Sequence, residues 1–294
     1  MAEALDRIPS ATARRLPSVS RRLMSTPLGA FGLVVIVILV GLAVTADAVA
    51  PYDPARQDYA AILQPPSAQH WMGTDNLGRD VLARVIYGSR VSLMVGLLAV
   101  GLSVLTGSVI GLVSGYLGGW VDEVLMRFMD AIYAFPALLL ALAITAVLGP
   151  GLVNVVVAIG IVYTPIFARL TRGQTLSVRE RDFVTAAVAL GARDERLLAR
   201  HIWPNVTAAI IVQGSLSVSF AIITEAALSF LGVGVQPPTA SWGAMLRTGY
   251  SYMELAWWLS VFPGAAIFVT VLGLNVFGDA LRDVLDPRLR RGKT

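Results

Sequence analysis

Apolar and polar positions alternate along this chain in long blocks, not with the short period of an amphipathic soluble domain. Six blocks are apolar over about 20 residues, the length of helix needed to cross a bilayer. They are Pro27–Ala46, Val91–Ser114, Asp130–Leu148, Gly151–Leu170, Val206–Phe230 and Leu255–Phe277. The pattern predicts an all-α polytopic membrane protein with six transmembrane helices. Its expected layout is a tail over 1–26, a first transmembrane helix over 27–50, an outer loop over 51–90, a core domain of five helices over 91–281 and a closing tail over 282–294. Ala48-Val49-Ala50 imitates a signal-peptidase site, but the apolar run before it exceeds the ~7–15 residues of a signal peptide, so the first helix is expected to be retained.

Composition agrees with this class. Of 294 residues, 56% are hydrophobic and 14% charged, and mean hydropathy is +0.70, whereas soluble domains carry about a quarter charged residues. Lysine and arginine number five in the first tail, four in 51–90, one in 115–129, seven in 169–205, one in 231–254 and five in the closing tail. Alternate segments therefore carry eighteen against five, and the positive-inside rule places both termini and Arg172–Asn205 in the cytoplasm. The pI near 9.7 is then a sign of topology, and nucleic acid is not an expected partner. With no cysteine, disulfides, thiolate metal sites and cysteine catalysis are excluded.

Arg172–Asn205 is the largest charged island in the chain. Within it Phe183, Ala186, Ala187 and Leu190 fall at i, i+3, i+4 and i+7, one face of a short helix. Ser177 and Glu180 form an S-x-x-E capping pattern suited to start it, and Gly191 is suited to end it. Asp194 is positioned to cap a second helix carrying Leu197, Leu198 and Ile202 and stopping at Pro204. The reading is two short helices, bent at Gly191 and offered to another protein. Elsewhere, Pro51, Pro54, Pro65 and Pro66 break the start of the outer loop. Asp75–Tyr87 then reads as an amphipathic helix lying at the outer interface, with Val81, Leu82, Val85 and Ile86 on one side and Asp80 paired to Arg84. Pro136 and Pro165 lie inside apolar runs, where a missing N–H kinks a helix. Trp242, Trp257 and Trp258 stand where aromatic rings mark a membrane boundary.

Candidate chemistry is sparse. Glu225 is the acid inside a predicted span; by its depth it reads as an interfacial or gate-stabilising group before a proton relay. Gly292-Lys293-Thr294 has the ending of a phosphate-binding loop, but Pro287 stands where that pattern needs glycine. His70 and His201 fall on opposite sides of the membrane and share no metal. Catalytic and metal residues are therefore none, and no nucleophile with a base and an orienting acid is found.

The segment around Gly191 resembles the cytoplasmic coupling loop of ATP-binding-cassette importer permeases, EAA, three residues, G, nine residues, I-x-L-P. Here it stands in compressed form as Thr185-Ala186-Ala187, Gly191 and Ile202-Trp203-Pro204, with Thr185 in place of the acid. His70–Leu93 resembles the HPLGTDxLGRDVLSRxxYGxRxSL stretch of the dipeptide/oligopeptide (and nickel) permease family. Glu225–Leu246 resembles its EAALSFLGxGxQPPxPSWGxML stretch, and Phe277–Leu289 its closing GDxLRDxLDPRL. The resemblance implies the MetI-like ABC importer permease fold with one extra N-terminal helix, and the role of second permease subunit. It implies as partners a homologous permease subunit, two cytoplasmic ATP-binding subunits, an extracytoplasmic substrate-binding protein and the lipid bilayer. No cofactor is expected on this chain; ATP and Mg belong to the partner ATPases. The candidate coupling residues are Thr185, Ala186, Ala187, Gly191, Ile202 and Pro204, which the resemblance implies, with Phe183 and Leu190 added from the helix face. Asp75, Arg79, Asp80, Glu225 and Trp242 are the candidates for an outer gate or for docking of the binding protein. Peptides are the expected solute, with nickel, glutathione and oligosaccharides as alternatives, and the localisation is a bacterial or archaeal cytoplasmic membrane. A competing class is a secondary transporter driven by an ion gradient, which calls for a charged or broken-helix ion site near the midplane.

Overall fold

The protein is seen in a computed structural model that describes residues 26–285. The tail over 1–25 and the positions from 286 onward, including Pro287 and the end of the LRDxLDPRL stretch, lie outside the described residues. Long helices make the framework: α1 (Pro27–Val49), α2 (Val81–Leu117), α3 (Gly119–Tyr133), α4 (Ala137–Leu148), α5 (Leu152–Arg179), α6 (Asp182–Ala189), α7 (Asp194–Phe230), α8 (Trp242–Ser251) and α9 (Trp258–Leu285). Five of these, α1, α2, α5, α7 and α9, are each long and apolar enough to cross a membrane.

The third expected span is not a single rod. It is the pair α3 and α4, bent by 90° at a short break. Pro136 explains the break: it lacks the N–H that would continue α3, and it disfavours helical backbone at Phe135, so it stands as the residue before α4. Pro165, by contrast, lies inside α5, which runs through it to Arg179.

The most extensive packing is between α2 and α5. On α2, Gly107, Gly111 and Gly115 repeat every four residues, a spacing that lets helix backbones approach within a membrane. A Cβ at Gly111 would lie 2.4 Å from Ala168 O, and one at Gly107 2.6 Å from Thr164 O. Hydroxyls complete the seam: Ser103 Oγ donates to Gly160 O at 2.8 Å, and Thr106 and Thr164 share a 2.9 Å bond. Around this pair Val95, Ala99, Val155, Ile159, Phe167 and Ile222 are fully buried. The first helix packs along α9 and is tied to α2 by Arg90, which donates to both oxygens of Asp47 at 3.0 and 2.8 Å.

Cross-links define two ends. At the loop end, Tyr116 near the end of α2 meets Asp194 at the start of α7, and Arg179 at the end of α5 meets Tyr116. At the cap end, Gly151 N–H beside α5 donates to Gly234 O beyond α7, Trp242 of α8 reaches Val85 near the start of α2, and Trp258 of α9 reaches Thr74. The bent pair α3–α4 therefore connects the two ends, as a sixth crossing must.

Candidate coupling segment and outer cap

At the loop end the chain departs from its expected local structure while keeping the bend. Ser177 does not start a helix, because α5 continues through it to Arg179. Next, α6 begins at Asp182 after Arg181, with no side-chain cap. Its end is a Schellman turn: Ala192 N–H donates to Ala187 O at 3.0 Å and Gly191 N–H to Val188 O at 2.9 Å. Gly191 has φ +76°, the left-handed region that favours glycine. Asp194 opens α7 without capping it; its carboxylate instead accepts the Tyr116 hydroxyl at 2.6 Å. Nor does Pro204 stop the helix. It follows a π turn over Leu197–Ile202 and sits at the start of the regular α segment, where a missing N–H is tolerated, and Asn205 Nδ2 donates to His201 O at 2.7 Å.

The expected helix face divides in two. Val184, Leu197 and Ile202 are buried together in the main core with Val178 and Val206, and Ala187 is half-buried against them. Phe183 is 41% exposed, Leu190 89% exposed, and Thr185, Ala186, Val188, Gly191 and Pro204 lie at the surface. Ile202 therefore faces the core and cannot be offered to a partner. Val184, which the face built on Phe183 passed over, is the anchor of α6; its spacing to Ala187 (i, i+3) and the Leu197 and Ile202 that follow carried the signal. What remains outward is Phe183 with Leu190, seven positions apart on one side of α6, and Val188 on the other side of Val184, beside small side chains. The root of this end is ionic. Arg172 grips Asp122 with Nε and Nη2, both at 2.5 Å, and Ser114 donates to the same carboxylate. Higher on α5, Arg169 binds Asp130 at 2.7 Å and lies 4.2 Å over the Tyr133 ring.

At the cap end, Asp75–Asp80 is not helical. Asp75 Oδ1 accepts the backbone N–H groups of Leu77 and Arg79 at 2.9 and 3.0 Å, and Oδ2 accepts Arg79 Nε at 2.7 Å. Arg84 Nε faces that same oxygen at 3.7 Å and Nη1 donates to Pro54 O at 3.0 Å. All three side chains are buried. Asp80 does not pair with Arg84: it caps α2 through Ala83 N–H at 2.7 Å and holds His70 Nδ1 at 2.9 Å. The expected interfacial helix is thus the first turns of a 37-residue α2, ~56 Å long, which stands well beyond a ~30 Å hydrocarbon core. Trp242 is not a boundary ring. It is 2% exposed, donates Nε1 to Val85 O at 2.9 Å, and fills the space where a Cβ at Gly88 would come within 2.6 Å of its ring. Trp258 is buried likewise and donates to Thr74 O at 3.1 Å, while Trp257 is exposed.

Glu225 is 0% exposed, near the end of α7, and its Oε1 accepts Ser229 Oγ at 2.7 Å. Ser229 Oγ in turn accepts Val235 N–H at 3.1 Å, so the acid organises the turn that leads toward α8. The cap thus holds two ionic groups, Asp75 with Arg79 and Arg84, and Asp80 with His70. Glu225 and Trp242 stand beside them, each with its own partners. Among the described residues no three His, Asp or Glu come together as metal ligands.

Known proteins match most of the chain. The family described as "Binding-protein-dependent transport system inner membrane component" matches residues 107–291, and the "N-terminal TM domain of oligopeptide transport permease C" matches residues 18–66. A di/tripeptide transport system permease protein of Pseudomonas aeruginosa is 47% identical over 265 residues, 88% of each chain. A dipeptide transport system permease protein of Alkalihalophilus pseudofirmus is 43% identical, covering 92% of this chain and 89% of that one. A glutathione transport system permease protein of Pectobacterium atrosepticum is 44% identical, covering 87% and 85%. Among solved structures, a chain from an amino acid ABC transporter crystallised with histidines superposes with TM-score 0.53 at 20% identity, over 71% of this chain and 94% of that chain. That likeness speaks to the fold alone, and it is the ABC importer permease fold that the matched stretches implied.

Proposed function

The chain belongs to the family of binding-protein-dependent transport system inner membrane components, and we propose that as a permease subunit of a multi-subunit ABC importer it carries peptides inward. The loop end lies in the cytoplasm, where α6 and the turn at Gly191 dock on a partner ATPase. A second permease subunit completes the pathway, a second ATPase serves that subunit, and ATP and Mg are bound there. An extracytoplasmic binding protein delivers the solute to the cap end. Support for peptides comes from the names of the relatives; glutathione, also carried by a named relative, is itself a small peptide.

One observation carries the coupling role: Phe183 and Leu190 stand uncovered on one side of an α6 that Val184 and Ala187 lock into the core. Such a helix can be pushed only together with what it is packed on. The two states of the pathway are then biased by ATP binding and hydrolysis in the partners.

The test is reconstitution of the complete transporter with a labelled mixture of di- and tripeptides and glutathione. Leu190→Asp or Ala186→Arg is expected to leave the chain in the membrane but to release the ATPase and abolish uptake. Normal ATPase association and uptake in both variants rule the coupling role out. Collapse of the proton gradient with ATP maintained is expected to leave uptake intact, whereas a gradient-driven transporter stops.

A further inference from the structure

Both roots of the coupling segment are held by one residue that no matched motif marks. α2 ends at Leu117, and its last carbonyls, without intrahelical donors, form the negative pole of that helix. Arg179, the last residue of α5, places Nη1 2.7 Å from Tyr116 O. On the far side of α6, Asp194 accepts the Tyr116 hydroxyl at 2.6 Å. The Tyr116 ring packs against the main core. Immediately before Tyr116 and one turn further, Gly115 and Gly111 keep α2 in backbone contact with α5, so this end of α2 cannot slide independently of its neighbour.

We propose that Tyr116 is a positioning residue that passes displacement of α6 into α2, with Asp194 and Arg179 as its two grips. The chain enters the coupling segment just after Arg179 and leaves it at Asp194, so a partner pressing on α6 loads both contacts at once. Through α2 the load reaches the cap end, since α2 is unbroken from Val81 to Leu117. This inference rests on the reading of α6 and Gly191 as the ATPase-coupling segment.

The experiment uses the complete transporter in proteoliposomes and reads ATP hydrolysed per solute taken up, with the same labelled peptide and glutathione mixture. Tyr116→Phe removes the hydroxyl and keeps the ring. The ATPases are expected to stay bound and to hydrolyse ATP, while the ratio rises about five-fold, the size of effect for one lost charge-assisted bond at a partly exposed site. Asp194→Ala is expected to match it, and Asp194→Asn, which keeps an acceptor oxygen, to stay within about two-fold of the parent. The double variant is expected to go no further than either single one. A merely structural lesion lowers hydrolysis and uptake together and leaves the ratio unmoved. Should Tyr116→Phe not accumulate, Asp194→Ala, at an exposed residue, carries the same test. An unchanged ratio in assembled complexes overturns the relay. Leu190→Asp in the same assay separates the two readings. If it releases the ATPase while Tyr116→Phe is normal, only the relay fails; if it leaves the ATPase bound and uptake unchanged, the coupling reading fails and the relay with it.

Discussion

The two ends of the molecule are finished differently. At the cap end the chain supplies most of its own partners: Asp75, Arg79 and Arg84 are buried with partners, Asp80 caps α2 and holds His70, and two tryptophans bury their N–H groups on carbonyls far away in sequence, while Asn76 Oδ1 and Glu225 Oε2 are buried without one. At the loop end the inward half is equally well packed, through Val184, Leu197 and Ile202, but the outward half leaves Phe183, Val188 and Leu190 uncovered. Burying a leucine contributes about 1.5–3 kcal/mol, so an 89% exposed Leu190 outside the longest apolar runs is unused binding energy. One end is packed to hold its own shape, and the other leaves apolar side chains uncovered, as the proposed docking requires.

That contrast makes ordered predictions. The largest effect on stability belongs at the cap. Arg84→Ala leaves Asp75 buried with one cation fewer, and a loss of about 3 kcal/mol is expected whether or not the ATPase is present, since broken buried pairs cost ~3–5 kcal/mol. Thermal unfolding of the purified chain measures it; parental stability there would break the claim that the cap holds itself. Trp242→Phe keeps most of the ring but loses the bond to Val85 O, an expected cost of about 1–2 kcal/mol. Gly191→Ala meets no atom within 4 Å of its new Cβ, so only the left-handed backbone opposes it, at about 1 kcal/mol. Gly191→Val is therefore expected to insert normally and to fail in coupling, which ATP turnover measured beside uptake would show. The smallest effect is expected for Arg127→Ala: its ion pair with Glu123, at 3.9 Å on an exposed face of α3, has no measurable effect on stability or transport.

Much of this was legible in the amino-acid order, for reasons that differ from residue to residue. Span lengths follow from bilayer thickness, and Gly191 is legible because few other residues accept its backbone. Pro136 announced a kink, but not a 90° one, since the angle depends on how α3 and α4 pack and not on proline alone. The start of α2 was misplaced because Val81, Leu82, Val85 and Ile86 set a helical period that extrapolates backward into Asp75–Asp80. There, carboxylates that bind nearby backbone N–H groups compete with helix. The capping pattern at Ser177 failed because α5 was already helical and needed no new start. Trp242 and Trp258 looked like boundary rings because hydropathy cannot report a hydrogen bond spanning 157 or 184 positions. The division of α6 into Val184 inward and Phe183 outward depended on where α7 begins, which only tertiary packing fixes.

If α6 docks on the partner ATPase, it is covered in the working transporter. Because the chain has no cysteine, Leu190→Cys supplies a single thiol on it. The measurement is the rate of maleimide labelling of that thiol in membranes, read by mass on this chain, with and without the ATPase subunits. The account predicts fast labelling of the chain alone and at least about ten-fold protection in the complex, as burial of a formerly exposed leucine position requires. Equal labelling in the two states, with the ATPases shown to be bound, would contradict it.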